Sequence, residues 1–395
     1  MPSIPFNRPY AGRSARANLE QALGSLHHSG DGPWSGRAIA ALAPLVGDGR
    51  VFLTPSGTDA LELACMALGL GVGDEVIVPS FTFSSTATAV QRTGATVRFA
   101  DIDPHTLNMG ASEVAARVTD RTRAVIAVHY GGQSGALEPL MDLCTERGIT
   151  LVEDAAHALG GTYGGRPYGS FGALACLSFH ETKDLSCGEG GAIVVNDPTL
   201  VASIEQLREK GTDRSKFFRG QVDKYTWVSP GSSFLLSDLL AAVLVAGLED
   251  WERTQSARHS AWTAYEQRLA PFALGAAGVQ AGTAFDQAPR LPDVTHPAHL
   301  YYLLAPTGQA RDDLLAHCRS RDVLAVSHYQ PLADSAEGLR ASAPHVDDCP
   351  RTLDVSARLL RLPLYGSMTP DEVDRVVEVV GSWAGSRAGG RAVHA

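Results

Sequence analysis

Four short segments of the sequence carry side chains that could bind and activate a small molecule. The first spans residues 55–59, where hydroxyl groups and a glycine (PSGTD) precede a helical pattern. Such a segment suits a phosphate, because the free N–H groups and the dipole at a helix N-terminus attract an anion. An ordinary helix N-cap uses the same residue types, so this segment alone leaves both interpretations open.

A pair of acids follows an apolar run in the second segment, residues 153–157 (EDAAH). A carboxylate at the end of a buried strand is costly unless it is paired, so one of the two acids should meet a cation. A protonated pyridine nitrogen is such a cation, and a carboxylate beside it keeps the ring an electron sink. The alternative is a carboxylate that caps the next helix.

Lys183 follows another apolar run, and Gly188, Gly190 and Gly191 come soon after it. An imine forms only from a neutral amine, and partial desolvation beside other cations lowers the pKa of a lysine. The glycines would let the backbone pass close to a ligand. Most isolated lysines are instead solvated surface residues, so the other strand ends must support the imine hypothesis.

The fourth segment places Phe81 and Phe83 at a strand end, where a planar ring could stack on one of them. Core packing is the commoner use of phenylalanine. Together the four segments supply a phosphate loop, a ring stack, a ring acid and an imine-forming lysine, which are the parts of a pyridoxal phosphate (PLP) site. No GxGxxG follows the first strand and no GxxxxGKS/T is present, so a nicotinamide or ATP site is not predicted.

Seven apolar runs between residues 50 and 196 must position these segments. They alternate with helical patterns and are apolar throughout, as expected of strands that are buried on both faces. The pattern predicts an α/β fold with a largely parallel, doubly wound sheet, in which ligands bind beyond the carboxyl ends of the strands. The runs are residues 51–54, 75–80, 96–103, 124–130, 149–156, 175–180 and 192–197.

The pattern changes after about residue 250, which predicts two domains. Residues 1–250 would form the large domain and residues 251–382 a smaller α+β domain. In the smaller part, a long helical pattern is followed by strand-like runs at 300–306 and 323–329. Residues 383–395 lack periodicity and are predicted to form a disordered tail.

The composition describes an ordinary globular protein of 395 residues with a net charge of −10 and a pI of about 5.7. That charge argues against nucleic acid or an anionic membrane as the main partner. The six cysteines form no CxxC pair, which is typical of free thiols in a reducing compartment. The N-terminus has no apolar signal region, and the apolar run 239–248 is too short to span a membrane. A cytoplasmic protein with a buried helix at 239–248 is expected.

The sequence resembles the DegT/StrS-type nucleotide-sugar aminotransferases over nearly its whole length. The matching segments, in the family's order, are PSGTDALELA, GDEVIVPSFTFSSTA, AVHYGG, VEDAAHALG, SFHETKDLSCGEGG and HYQPL. The resemblance implies the PLP-dependent transferase fold of type I with a seven-stranded sheet, and a homodimer whose subunits share their active sites. Residues 208–238 further resemble the members that aminate C4 of dTDP-4-keto-6-deoxyglucose, and the family's usual amino donor is L-glutamate.

The resemblance also implies roles for single residues. Lys183 would hold PLP as a Schiff base and move the proton, and Asp154 would pair with the pyridine nitrogen. His157 would lie against the ring and its phenolic oxygen. Phe83, with Phe81 as second choice, would stack on the ring. The implied phosphate ligands are Gly57, Thr58 and Ser178.

Two positions depart from the family's pattern. Where many members have Gly-Tyr-Lys-Tyr-Asn, residues 231–235 read GSSFL. Leu235 thus replaces the asparagine that reaches the partner subunit's phosphate, and Ser232 or Ser233 is the candidate substitute. The histidine that often follows HY-x-PL is Ala333 here, so a substrate contact at this position does not carry over.

A nucleotide diphosphate substrate would need cations, because the chain itself is negative. The basic segment 208–227 supplies them, and Arg219 and Lys224 are expected to meet the pyrophosphate. Tyr225 and Trp227 are candidates for stacking on the base. A solvated charged loop is the alternative. His328 and Tyr329 are expected to face the sugar.

Other functions stay open on the residues alone. A related PLP sugar dehydrase would carry histidine in place of Lys183, and a PLP lyase would need no keto acceptor. A ligand sensor of the same fold usually carries a fused DNA-binding segment, and no basic helix-turn-helix pattern is present. Among aminotransferases, amination at C3 instead of C4 is the alternative, and the sequence leaves both axial and equatorial products open.

Overall fold

The computed structural model describes residues 2–274 and 285–389, with side chains described as far as residue 385. Its strands are β1 Arg50–Thr54, β2 Glu75–Pro79, β3 Thr96–Ala100, β4 Thr122–Val128, β5 Thr150–Asp154, β6 Thr162–Tyr163, β7 Arg166–Pro167, β8 Leu174–Ser178, β9 Gly191–Val195, β10 Asp286–Gln287, β11 Val294–Thr295, β12 Tyr301–Leu304, β13 Val326–Ser327 and β14 Leu359–Leu362. Its α-helices are α1 Ala15–Leu23, α2 Pro33–Val46, α3 Gly57–Ala67, α4 Ser84–Gln91, α5 Ala111–Ala115, α6 Leu137–Arg147, α7 Val201–Arg208, α8 Arg214–Phe218, α9 Asp238–Glu249, α10 Trp251–Leu269, α11 Gly308–Arg319, α12 Ala336–Ala341, α13 Pro350–Arg358 and α14 Pro370–Gly389. Short 3₁₀ helices span Tyr130–Gly132, Pro198–Leu200 and Ala270–Phe272.

A seven-stranded sheet organises the first half of the chain, in the order β1-β9-β8-β5-β4-β2-β3. Strand β9 is antiparallel to both of its neighbours, and the other pairs are parallel. All seven predicted runs form these strands, so the prediction of a largely parallel sheet is confirmed. Both faces of the sheet are buried: along β2, Val76 and Val78 pack into one core and Ile77 packs into another. This double burial explains why the runs are continuously apolar.

A second, antiparallel sheet in the order β10-β12-β14-β13 organises the C-terminal part. The predicted runs at 300–306 and 323–329 contain β12 and β13, which confirms both as strands. Strand β14, between these two, is an additional element of the sheet. Strands β12 and β14 share a core with α10, α11 and α14 that includes the large aromatic side chains of Trp262 and Tyr265. A third, small sheet has the order β11-β6-β7.

The start of the chain lies with the C-terminal sheet. Ile4 forms a parallel bridge with Val323 and is buried in the same core as β12 and β14. Its N–H donates to the carbonyl of Asp322 at 2.8 Å. Ile4 therefore packs with the C-terminal sheet, although the predicted large domain begins at residue 1. The boundary near residue 250 stays a prediction.

The end of the chain also differs from the prediction. Helix α14 continues to Gly389, so the prediction of a disordered tail from residue 383 is wrong for residues 383–389. The reason is that Trp383 continues the apolar stripe of Val376 and Val380 and is 3% exposed. Residues 390–395 lie outside the described residues.

The apolar run 239–248 forms most of α9, which packs against α1 and α2 in a buried core, as predicted. Over the described ranges, no helix combines the length and the apolar character that crossing a membrane requires. The six cysteines are free and buried, in agreement with the prediction of free thiols.

Candidate active site

A cavity of about 470 Å³ lies at the carboxyl ends of the parallel strands. The turns after β1, β2, β5 and β8 line it from the large sheet, and residues near β13 and β14 line it from the smaller sheet. This is where the sequence predicted a ligand. The cavity brings together nine predicted site residues: Gly57, Thr58, Phe83, Asp154, His157, Ser178, Lys183, His328 and Tyr329.

The N-terminus of α3 forms one end of the cavity. The Ser56 hydroxyl caps this helix, and the first-turn N–H groups of Gly57 and Thr58 have no partner within the helix. Thr58 Oγ1 lies 2.7 Å from Ser85 Oγ. A Cβ at Gly57 would lie 2.8 Å from Cβ of Ser178, so only glycine lets the helix approach this strand end. N–H groups and hydroxyls thus surround a position suited to a phosphate.

Asp154 ends β5 and faces the cavity, although only 6% of it is exposed. Thr86 Oγ1 donates to Asp154 Oδ2 at 2.9 Å, and the N–H of Ala156 donates to Oδ1 at 3.3 Å. Burial raises the pKa of this carboxyl group. A cation in the cavity would offset that effect, as the predicted role beside a pyridinium requires.

The neighbouring acid, Glu153, points to the opposite face of the sheet because side chains alternate along a strand. His129 Nε2 lies 2.8 Å from its carboxylate, and three backbone N–H groups also donate to it. Burial alone would raise the pKa of Glu153, but these hydrogen bonds outweigh burial and lower it. The structure therefore separates the two acids of the EDAAH segment, one in a structural network and one at the cavity.

Lys183 lies on the turn after β8, where its N–H donates to the carbonyl of His180 at 2.9 Å. Burial lowers the pKa of the Lys183 amine to about 8, against the opposing attraction of Asp154. About a tenth of the amine is then neutral at pH 7, compared with well under a thousandth for an ordinary lysine. The site thus supplies the neutral amine that imine formation needs.

The rate at which PLP binds covalently to the apoenzyme should follow this pKa. Below about pH 8 the rate should rise roughly tenfold per pH unit, because only the neutral amine reacts, and above it the rate should level off. Stopped-flow recording of the visible absorbance band after addition of PLP measures it. An inflection near the ordinary lysine pKa would contradict the expectation.

His157 stacks on His299, with ring centres 4.3 Å apart. His299 Nδ1 hydrogen-bonds Asp184 Oδ1 at 2.7 Å, and Arg258 pairs with the same carboxylate at 2.8 Å. Burial lowers the pKa of His157 well below the ordinary value, with Lys183 and His299 adding to the effect, so its ring is neutral. Nδ1 of His157 is buried without a hydrogen-bond partner, which is typical of a group that meets a bound molecule.

Arg361, from β14, lines the cavity beside His328. Its Nη1 lies 3.1 Å from Nε2 of His328, and His328 Nδ1 lies 3.1 Å from the Tyr130 hydroxyl. Tyr329 reaches Nε2 of His157 at 3.4 Å. Arg361 was not predicted from the sequence, although a single cation within the apolar run LLRLPL is a detectable signal.

Other residues missed by the sequence analysis are His299, Ser85 and Thr86. The two hydroxyl residues lie within the quoted segment FTFSSTA, but hydroxyl side chains are too common to indicate a role by type. Of the two phenylalanines, Phe83 lines the cavity and is 59% exposed. Phe81 is buried against Tyr130 outside the cavity lining, which favours Phe83 for ring stacking.

Six predicted residues do not line the cavity of their own chain: Arg219, Lys224, Tyr225, Trp227, Ser232 and Ser233. Both terminal nitrogens of Arg219 pair with Glu205 at 2.9 Å. Lys224 and Tyr225 are exposed. A role for these six residues requires a second chain, and their assignment stays a prediction.

The residues present fit PLP. The cavity combines an anion site at α3, an exposed ring at Phe83, a buried carboxylate at Asp154 and an amine of lowered pKa at Lys183. The unpartnered Nδ1 of His157 adds a polar atom without a protein partner. The phosphate of PLP would fit the anion site at α3, and its flat ring would fit against Phe83. Its protonated nitrogen would pair with Asp154, and its aldehyde carbon would react with the amine of Lys183.

Comparison with known proteins decides the family. The profile of the DegT/DnrJ/EryC1/StrS aminotransferase family matches residues 11–381. The chain belongs to this family. The aminotransferase is 33% identical to the spore coat polysaccharide biosynthesis protein SpsC of Bacillus subtilis (strain 168), over 95% of this chain and 96% of SpsC.

Solved structures agree with this assignment. The aminotransferase shares 30% identity and a TM-score of 0.86 with DesV of S. venezuelae, over 97% of this chain and 99% of that one. With TlmJ of Streptoalloteichus hindustanus it shares 27% identity and a TM-score of 0.86, over 98% and 100% of the two chains. The protein is a PLP-dependent sugar aminotransferase with the type I fold, which favours transamination over the lyase, dehydrase and sensor alternatives.

Proposed function

We propose that this aminotransferase moves the amino group of L-glutamate to C4 of dTDP-4-keto-6-deoxyglucose, within a homodimer whose subunits share their active sites. The proposal places the protein with the dTDP-4-amino-4,6-dideoxygalactose transaminases. The observation that carries it is the segment 208–238, which resembles those enzymes over its whole length. Amination at C3 is the second candidate.

The basic segment 208–227 also exposes large aromatic side chains in a single chain. Phe218 is 70% exposed, Trp227 is 76% exposed and Tyr225 is 45% exposed. Exposed aromatic side chains beside cations are suited to a base and a diphosphate, or to a subunit interface. In the proposed dimer this segment reaches the cavity of the partner, where Arg219 and Lys224 meet the pyrophosphate and Ser232 or Ser233 meets the cofactor phosphate.

Each cavity residue then has a defined task. PLP supplies an electron sink for negative charge at the carbon that bears the amino group. Nζ of Lys183 would move a proton from that carbon of glutamate to the cofactor in the first half of the reaction, and from the cofactor to the sugar carbon in the second half. The carboxylate of Asp154 would stabilise the positive charge of the cofactor's pyridine nitrogen. His157 stays neutral against the ring, and Phe83 covers the ring's face.

The direct test is the reaction itself. Purified enzyme with PLP, L-glutamate and dTDP-4-keto-6-deoxyglucose should release 2-oxoglutarate and a dTDP-4-amino-4,6-dideoxyhexose. NMR of the product identifies both the aminated carbon and its axial or equatorial configuration. The 3-keto isomer is the matched control substrate, and a clear preference for it would replace the C4 proposal with the C3 alternative.

Reversing Arg219 and Lys224 to glutamate should raise KM for the nucleotide sugar by at least about tenfold, because two cations that meet a diphosphate are lost. The glutamate half-reaction should not change. Arg147→Glu is the matched control, since Arg147 is an exposed cation at the end of α6, remote from the cavity. An unchanged KM would remove the segment from the proposed substrate site.

Subunit mixing then tests whether the sites are shared. Dimers built only from Lys183→Ala subunits should lack activity at low sugar concentration. Dimers built only from subunits that carry both Arg219→Glu and Lys224→Glu should lack it as well. If the segment serves the partner's cavity, co-expression forms hybrid dimers with one intact site, and about a quarter of wild-type activity returns. No recovery, with hybrids shown by native mass spectrometry, would mean that each chain completes its own site.

A further inference from the structure

Asp184 follows Lys183 directly in the chain, but its side chain does not line the 470 Å³ cavity. Its carboxylate is 3% exposed, and one oxygen, Oδ1, meets two partners. Nη2 of Arg258 lies 2.8 Å away and Nδ1 of His299 lies 2.7 Å away. Asp184 thus connects the turn that carries Lys183 with helix α10 and with the segment before β12.

This carboxylate decides which nitrogen of His299 carries the ring proton. Burial lowers the pKa of His299 to about 4, so its ring is neutral at pH 7. Burial alone would raise the pKa of Asp184, but the charge of Arg258 and the hydrogen bond from His299 outweigh burial and lower it. An ionised carboxylate only accepts, so Nδ1 of His299 must carry the proton. The ring cannot turn over without losing this bond.

The backbone around His299 is held as firmly as its ring. Nε of Arg258 donates to the carbonyl of Ala298 at 3.1 Å, and Nη2 donates to the carbonyl of His299. Ala298 has a φ of 54°, in the left-handed region that residues with a side chain seldom adopt. Such a conformation persists only where the surroundings determine it, and it is common at functional sites.

The face of His299 carries this fixed position to the cofactor site. Its ring packs on the ring of His157, with centres 4.3 Å apart and planes 23° apart. Both histidines line the cavity. The hydroxyl of Tyr329 lies 3.4 Å from Nε2 of His157. His157 is therefore held along a face by His299 and at an edge by Tyr329.

We propose that Asp184 and His299 are positioning residues for the cofactor. The carboxylate of Asp184 fixes the ring of His299, and this ring holds the ring of His157 in place against the cofactor. The proposal rests on the proposed place of His157 against the cofactor ring, but on neither substrate.

The chain contains a second carboxylate–histidine pair that lacks this connection. His129 lies 2.8 Å from Glu153, and the two side chains are 1% and 0% exposed. The ring of His129 packs on Tyr168 instead, with centres 4.6 Å apart, and none of these three residues lines the cavity. Changing either histidine should cost stability, but only a change of His299 should alter how the cofactor binds.

Binding of deoxypyridoxine phosphate to the apoenzyme tests the proposal. This analogue carries a methyl group where PLP has its aldehyde, so it cannot react with Lys183, and its Kd reports the contacts of the ring and the phosphate. His299→Asn keeps an N–H donor for Asp184 but removes the stacked ring, and should raise the Kd about five- to tenfold. His299→Phe keeps a ring but loses the bond to Asp184, so its Kd should lie between the two.

His129→Gln is the matched control, because it keeps an N–H donor for Glu153 and removes a ring of equal size. It should lower the Tm and leave the Kd within about twofold of the wild type. A Kd for His299→Asn that is also within about twofold of the wild type would overturn the proposal. An equal rise in His129→Gln would overturn it too, because the effect would then be one of stability.

Asp184→Asn tests the other end of the connection. If Asp184 acts through His299, adding this change to His299→Asn should raise the Kd by less than a further factor of about two. Independent effects that multiply would overturn the proposal. The His299 variants keep the ion pair of Asp184 with Arg258, so they decide the matter even where Asp184→Asn, which leaves a buried cation unpaired, does not fold.

The proposed function fails in a different way. A wild-type apoenzyme that does not bind the analogue would overturn this proposal together with the place of the cofactor ring. A wild-type enzyme that binds it but does not aminate the sugar would overturn only the proposed acceptor, because the titration uses neither substrate.

Discussion

Replacing Lys183 with alanine should lower kcat by at least about 10³-fold, because the variant loses both the amine that binds PLP and the base that moves the proton. The visible absorbance of the covalently bound cofactor should disappear. The fold should persist, since Lys183 makes no ion pair among the described residues and its removal takes a desolvated amine from the cavity wall. Steady-state assays, absorbance spectra and thermal unfolding measure the three effects.

The chain offers an unusually clear chemical check of this assignment. It contains only four lysines, at positions 183, 210, 216 and 224. Borohydride reduction of the PLP-loaded enzyme followed by peptide mass mapping should label Lys183 alone. A label on one of the other three, or activity in Lys183→Ala above about a tenth of wild type, would disprove the role.

Replacing Asp154 with asparagine should lower kcat by about 10²- to 10³-fold, because a neutral amide no longer stabilises positive charge on the cofactor ring. The amide can keep the hydrogen bond from Thr86 and has nearly the same shape, but its NH2 group cannot accept from the Ala156 N–H, so stability should fall by only about 1 kcal/mol. PLP should still bind covalently to Lys183. Single-turnover rates with L-glutamate measure the effect on chemistry apart from binding.

The neighbouring Glu153 provides the matched control. Glu153→Gln should destabilise the protein by about 3 kcal/mol, because a buried carboxylate that accepts from three N–H groups and pairs with His129 becomes neutral. The remaining folded enzyme should keep its kcat. If Glu153→Gln lowered kcat as much as Asp154→Asn does, the division of the two acids into structural and catalytic roles would be wrong.

The large sheet and the residues at its strand ends could be predicted from the sequence because both depend on local patterns. Continuous apolar runs identified the seven strands, and parallel strands bring their carboxyl ends to one edge. Asp154 and Lys183 therefore met in the cavity although about thirty residues separate them in the chain. The choice between Glu153 and Asp154 followed from the resemblance, and the alternation of side chains along β5 gives its physical reason.

The C-terminal contribution to the site was harder to predict. Arg361 and His299 reach the cavity only because the second sheet packs against the first, and no local pattern encodes that packing. Arg361 resembles any other arginine until its place beside His328 is seen in three dimensions. The helical tail was missed for a related reason, since Trp383 and Ala384 are buried in the apolar core and α14 continues through a segment rich in small residues. The roles of residues 208–227 depend on a second subunit and stay predictions.

The N-terminal residues connect the two walls of the cavity. Ile4 bridges to Val323 beside the second sheet, Phe6 lies against Arg361, and the side chain of Asn7 donates to the carbonyl of Glu181 at 2.9 Å, two residues before Lys183. These residues therefore link the second sheet to the turn that follows β8. The N-terminal residues are therefore expected to oppose a separation of the two walls while amino acid and sugar exchange in the cavity.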